Sequence, residues 1–167
     1  MKTTNGAEAT GTNPSIDMDI VLTLLVFSIF TFLFNFVWEI LQAPLFARMP
    51  SLSHWEATLI CLKATLGDVG IALTSYVAAA WWITCINWYK TPNTNAVAAY
   101  VATGVLITVF FEWYSVYWAG RWAYSGLMPI IPVLHVGLAP VLQWFFLPPV
   151  VLYFLRRHDF AAQRRSQ

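Results

Sequence analysis

Hydrophobic residues run almost unbroken through four stretches of this chain, about 20–46, 54–86, 96–118 and 128–155, each at least as long as the roughly 20 residues needed to cross a bilayer as a helix. Span one has Asn35, Glu39 and Gln42 as its only strongly polar interruptions and stops at Pro44 and Pro50. Span two opens with Ser53-His54-Trp55-Glu56, a capping box in which the Ser53 hydroxyl and the Glu56 carboxylate each accept from the other residue's amide. Residues 87–95, with Lys90, Pro92 and several asparagines, read as the loop between two helical hairpins. Span three ends before Gly120, a natural helix terminator. Span four starts near Met128 and stops at Arg156, Arg157 and His158. Strands of a membrane barrel would alternate polar and apolar residues over about ten positions, whereas residues 20–34 are apolar nearly all round. The pattern predicts an all-α polytopic membrane protein, with four transmembrane helices in one bundle over 19–157. Proline is expected to kink the fourth helix: Pro140 removes the bond its amide would give to the Val136 carbonyl.

Residues 1–18 are polar without an apolar period and are expected to stay disordered. The first apolar run begins too late and is too long for a signal peptide, so it reads as an uncleaved span. Residues 158–167 form a basic tail. No internal repeat or long linker divides the chain.

Composition supports the membrane reading: 59% of the 167 residues are hydrophobic, 17% aromatic and 10% charged, against about 25% charged in soluble domains. A net charge of +1 with few basic clusters gives nucleic acid nothing to hold. Cys61 and Cys85 would lie about 36 Å apart along one helix, too far for a disulfide, and read as small interior residues. No cofactor is expected. Four spans collect Lys2, Lys90, Arg156, Arg157, Arg164 and Arg165 on one side and leave Arg48 and Arg121 on the other. The positive-inside rule then places both termini in the cytoplasm, with the protein expected in the plasma membrane. Trp81, Trp82, Trp88 and Tyr89 fit an inner aromatic belt; Trp55, Trp118, Trp122 and Tyr124 fit an outer one.

Ionisable residues inside spans cost about 2.5–3.5 kcal/mol each at a helix centre, so Glu39, Lys63, Asp68 and Glu112 each call for a partner or a purpose. Counted inward from the outer ends, Glu39 lies roughly 7 Å deep, Glu112 about 9 Å, His135 about 10 Å and Asp68 about 16 Å. Four helices thus place these groups in one leaflet, which points to a single constellation. Residues three and four apart share a helix face. Asn35, Glu39 and Gln42 therefore form one inward stripe, Cys61, Thr65, Asp68 and Ser75 a second, and Thr108, Glu112 and Ser115 a third.

Several functions suit this pattern. The first is an outer-leaflet pocket for an amphiphilic or isoprenoid-like molecule, bound or converted. Glu39, Asp68 and Glu112 would do acid and base work, and Asn35, Trp38, Gln42, Trp113, Arg121, His135 and Gln143 would contact the ligand. Arg121 suits a lipid phosphate or carboxylate, because guanidinium grips oxyanions in a fork. A second reading is proton- or cation-coupled transport by an oligomer, a homodimer in the simplest case. In a third, the charges only hold helices together, Lys63 pairing with Asp68 or Glu39 and Arg121 with Glu112. A fourth, a carboxylate–histidine metal site, lacks the Glu-x-x-His pair of bundle metal centres. Membrane lipids are the expected partners in every case.

The segments Glu112-Trp113, Gly120-Arg121-Trp122-Ala123-Tyr124, Met128-Pro129-Ile130-Ile131-Pro132, Val136-Gly137-Leu138-Ala139-Pro140 and Leu142-Gln143-Trp144 resemble a pattern in small bacterial multi-pass proteins without assigned activity. With Glu39 to Pro44 and Gly67-Asp68, that resemblance touches every span. The architecture, and the Glu39 to Pro44 stretch, are also similar to the sterol isomerase and sigma-2 receptor group. That resemblance implies an acid-lined cavity for sterols and cationic amphiphiles.

Overall fold

The computed structural model describes residues 14–165. It contains four long helices: α1 (Pro14–Gln42), α2 (His54–Ile83), α3 (Thr94–Trp113) and α4 (Leu138–Arg165). All four are long and apolar enough to cross a membrane. The protein is therefore a multi-pass membrane protein built as one helical bundle. α1 packs on α2 and α4, and α3 packs on the same two helices, so the four close into a ring.

Each helix puts its lipid side outward by ordinary helical periodicity. On α1 the exposed face is Val21, Leu22, Leu25, Ile29, Leu33, Val37, Ile40 and Leu41, while Phe27, Thr31, Asn35 and Gln42 are buried. On α3 the inner line is Ala96, Tyr100, Gly104, Thr108 and Glu112, a strict step of four. Polar groups go inward and apolar ones outward, the reverse of a soluble bundle, because lipid cannot hydrogen-bond them.

α2 is started by the capping box foreseen from the sequence, with the Ser53 side chain accepting from the Glu56 amide and Glu56 Oε2 from Ser53 N at 3.0 Å. It ends with Thr84 in the left-handed region. The connection that follows departs from expectation. Trp81 and Trp82 are exposed like belt residues, but Trp88 and Tyr89 are buried. They fold into a cluster with Phe27, Tyr76 and Tyr100, with Tyr76 and Trp88 ring centroids 5.3 Å apart. The Tyr89 hydroxyl bonds to Asp159, and Lys90 pairs with the same carboxylate at 3.6 Å. α4 runs on to Arg165 instead of stopping at Leu155, and these contacts hold its turn at Asp159 against the connection after α2. Burial and the bond to Asp159 both push the Tyr89 phenol above its ordinary range, so it remains a donor. Cys61 is buried as expected and Cys85 is exposed.

Helix boundaries shift at the other end too. α1 begins at Pro14, so residues 14–18 of the segment expected to be disordered are helical, and residues 1–13 lie outside the described residues. Residues 128–137 are not helical. They form a small antiparallel hairpin, β1 (Ile130–Ile131) with β2 (Val136–Gly137), and α4 starts only at Leu138. Pro140 therefore sits in the first helical turn, where its missing amide would have had no partner anyway. The prolines that do interrupt the α4 ladder are Pro148 and Pro149. α3 continues through a wider π-turn at Tyr114–Trp118, and Ala119 N reaches back to Tyr114 O at 2.8 Å. Beyond it Gly120 takes a positive φ of 57°, open to glycine without strain, and turns the chain back over the bundle.

Candidate functional site

Two connections meet at the end of the bundle opposite the Tyr89–Asp159 contact. Ala47 N donates to Ala123 O at 2.9 Å and Ser125 N to Leu45 O at 2.8 Å, a short antiparallel pairing of residues 45–47 with 123–125. This pairing roofs a cavity of about 990 Å³, at the upper end of the roughly 300–1,000 Å³ that small-molecule sites occupy. The walls come from α1, α2, α3 and the start of α4, and most of the lining is apolar.

Glu39, Asp68 and Glu112 all line it. They arrive from three helices, α1, α2 and α3. Glu39 Oε1 accepts from Gln42 Nε2 at 2.5 Å, and Gln42 Oε1 in turn accepts from Trp38 Nε1 at 3.2 Å. Glu112 Oε2 accepts from the Tyr124 hydroxyl at 2.6 Å and from Trp122 Nε1 at 3.4 Å. Asp68 Oδ2 is buried with no hydrogen-bond partner. Burial and the bond to Glu112 hold the Tyr124 phenol above the usual tyrosine range, which keeps it a donor.

The helix-gluing network expected from sequence does not form. Among the described residues the ion pairs are Lys90–Asp159 and His158–Asp159, both at the far end of the bundle. Lys63 and Arg121 line the same cavity as the three carboxyls, yet pair with none of them. The Arg121 guanidinium instead lies over the Tyr114 ring, 5.6 Å from its centroid. A metal centre is not arranged either: among the described residues no three His, Cys, Asp or Glu side chains are placed to hold one ion.

Of the other residues singled out in the sequence, Gln42, Arg121 and Gln143 line the cavity. Asn35 stands behind it, buried, accepting from Gln143 Nε2 at 2.5 Å and donating to Thr31 O at 2.7 Å. Trp38 contributes through Gln42 alone. Two residues are not brought in. Trp113 is 46% exposed and points away, because it follows Glu112 and adjacent helix positions face different directions. His135 lies on the exposed hairpin, not in a helix, with φ of 54°, and it is engaged through its backbone, the amide donating to Ile131 O at 2.8 Å and the carbonyl accepting from the Tyr117 hydroxyl at 2.5 Å.

Tyr124 and Trp122, which the sequence pattern assigns to the outer aromatic belt, belong to the site. Both have the apolar body and polar tip of a belt residue; what distinguishes them is the return of the chain at Gly120, which puts their polar tips over Glu112.

The fold and cavity define a four-helix, multi-pass membrane protein with an acid-lined chamber at one end. No protein family, curated protein or solved structure matches this chain.

Proposed function

We propose that this is a plasma-membrane protein that binds, or binds and converts, an amphiphilic or isoprenoid-like small molecule in the roofed cavity. The observation that carries the reading is three carboxyl groups from three helices lining one largely apolar chamber with no ion-pair partner among the described residues. Apolar walls suit a ligand that partitions from the bilayer. Carboxyls side by side can donate and accept protons at a bound molecule, the usual work of an acid–base pair. Passage of ions would need polar groups along the whole bundle, whereas beyond Asp68 the interior is mainly Ala72, Tyr76, Phe27 and Tyr100, interrupted by hydroxyls such as those of Thr31 and Ser75.

Mass spectrometry of molecules that co-purify in mild detergent tests this. Wild type is expected to carry a specific lipid-like species, and the Glu39→Gln, Glu112→Gln double variant to lose at least about tenfold of it, as loss of charge-assisted contacts implies. Chemical conversion of that species would make the protein an enzyme. Equal retention by both proteins would sink the reading, and proton flux in vesicles abolished by the same substitutions would favour transport.

In the proposed orientation the roofed end faces outward and both termini are cytoplasmic, following the Lys and Arg count. Ser51 and Ser125 share the roofed end, and Asn93 lies at the other. On a background without Cys61 and Cys85, single cysteines at 51 and 125 should react with an impermeant thiol reagent in intact cells. Labelling of position 93 instead would invert the topology.

A further inference from the structure

Three cations line the carboxyl chamber, each from a different segment: Arg48 from the connection after α1, Lys63 from α2 and Arg121 from the loop after the π-turn. None is ion-paired among the described residues. Residues that merely anchor a span snorkel outward to the interface, but these three contribute to the wall of one cavity. Lys63 is the most telling, since a lysine within an apolar span is costly unless it meets an oxyanion or water. On the same wall stands Ser115, fully buried, its Oγ without a hydrogen-bond partner. Its carbonyl accepts from Arg121 N at 2.8 Å, so hydroxyl and guanidinium belong to one local structure, set by the π-turn. π-turns recur at functional sites because the wider turn displaces side chains from regular helical positions.

Donors and acceptors in the chamber are thus unevenly used. Glu39 and Glu112 already accept from neutral donors, Gln42 in one case and Tyr124 with Trp122 in the other. Among the described residues the three cations pair with no carboxylate and the Ser115 hydroxyl has no partner, and Asp68 Oδ2 is unpartnered as well. Lys63 is five residues nearer the roofed end than Asp68, about 7.5 Å along α2, and Arg48 and Arg121 belong to the roof itself. The three cations therefore stand on the roofed side of Asp68, at the same end as Glu39 and Glu112, whose carboxyls already accept from neutral donors.

We infer that the ligand of this cavity carries a phosphate monoester headgroup, received by Arg48, Lys63, Arg121 and the Ser115 hydroxyl, with its hydrocarbon chain along the apolar wall. A phosphate dianion offers several acceptor oxygens at once, which suits guanidinium forks, an ammonium and a hydroxyl contributed to one cavity by separate segments. The inference rests on the reading of the chamber as an amphiphile site and adds the chemistry of the headgroup.

Tryptophan fluorescence of the full chain in neutral detergent, titrated with farnesyl phosphate, farnesol, farnesylamine and inorganic phosphate, tests it. Farnesyl phosphate is expected to saturate and to bind at least about tenfold more tightly than farnesol, the worth of a charge-assisted hydrogen bond or more. Inorganic phosphate, lacking the chain, should displace it only weakly; equal competition would assign the site to a soluble phosphate and overturn the lipid part of the inference. The double variant Arg48→Gln, Arg121→Gln, both exposed positions, should weaken farnesyl phosphate by about tenfold or more while leaving farnesol unchanged. Ser115→Ala, which removes no bond present in the structure, should weaken it as well with an unchanged melting temperature. Farnesylamine binding tighter than farnesyl phosphate, and lost in Glu39→Gln, Glu112→Gln, would overturn the headgroup assignment and leave the chamber reading intact. Failure of all three amphiphiles to saturate would overturn both.

Discussion

Gly104→Leu is expected to be the most damaging single substitution in the bundle. A Cβ at this position would stand 2.1 Å from Cε3 and 2.2 Å from Cζ3 of Trp144, where no real contact forms. The indole has nowhere to go. Its Nε1 donates to Thr108 Oγ1 at 2.7 Å, its ring meets Tyr100 edge-on at 6.0 Å, and only 4% of it is exposed. Overpacking a filled core costs about 1–3 kcal/mol, so Gly104→Ala should lose that much and Gly104→Leu more, separating α3 from α4. Gly70→Ala is the control, because nothing lies within 4 Å of a Cβ there and alanine favours helix by up to about 1 kcal/mol. Thermal unfolding in detergent distinguishes them. Equal melting temperatures for the two alanine variants would mean that α3 and α4 do not meet at this glycine.

The second large effect concerns the roof. Tyr124→Phe leaves Glu112 with only the longer bond from Trp122, and an under-satisfied buried carboxyl costs about 1–3 kcal/mol. The substitution should also loosen the pairing of residues 45–47 with 123–125, since Tyr124 is the residue of that pairing tied to the chamber wall. Hydrogen exchange at the amides of Ala47 and Ser125 should accelerate. In a double-mutant cycle with Glu112→Gln the two losses should fall short of additive by about 0.5–3 kcal/mol, as groups in direct contact do. Wild-type exchange at both amides in Tyr124→Phe would show that the roof is held by its backbone bonds alone.

A ligand entering the chamber has to pass this roof or come between helices from the lipid. The Glu112 contacts connect the two: the same carboxyl that lines the cavity anchors Trp122 and Tyr124 above it. Occupancy and roof mobility are therefore expected to change together, and exchange at Ala47 and Ser125 with and without bound farnesyl phosphate would measure that coupling.

What the sequence determined by itself is what depends on local order along one helix. Length and apolar composition determined four spans, the capping box determined where α2 begins, and steps of three and four determined that Asn35, Gln42, Cys61, Thr65, Ser75, Thr108, Glu112 and Ser115 face inward. These are properties of a period of 3.6 residues and of groups that lipid will not solvate. The tertiary structure alone decided how segments far apart in the chain meet. It turned Trp122 and Tyr124 from an expected belt onto Glu112, drew Trp88 and Tyr89 into the core beside Tyr76, and left Trp113 and His135 outside the chamber. It also replaced the first ten residues of the expected fourth span with a hairpin, where apolar composition says nothing about backbone pairing. Amphipathic side chains such as tryptophan and tyrosine satisfy a membrane interface and a buried carboxyl equally well. Only the path of the chain, bent back at Gly120 and tied to residues 45–47, selects between the two.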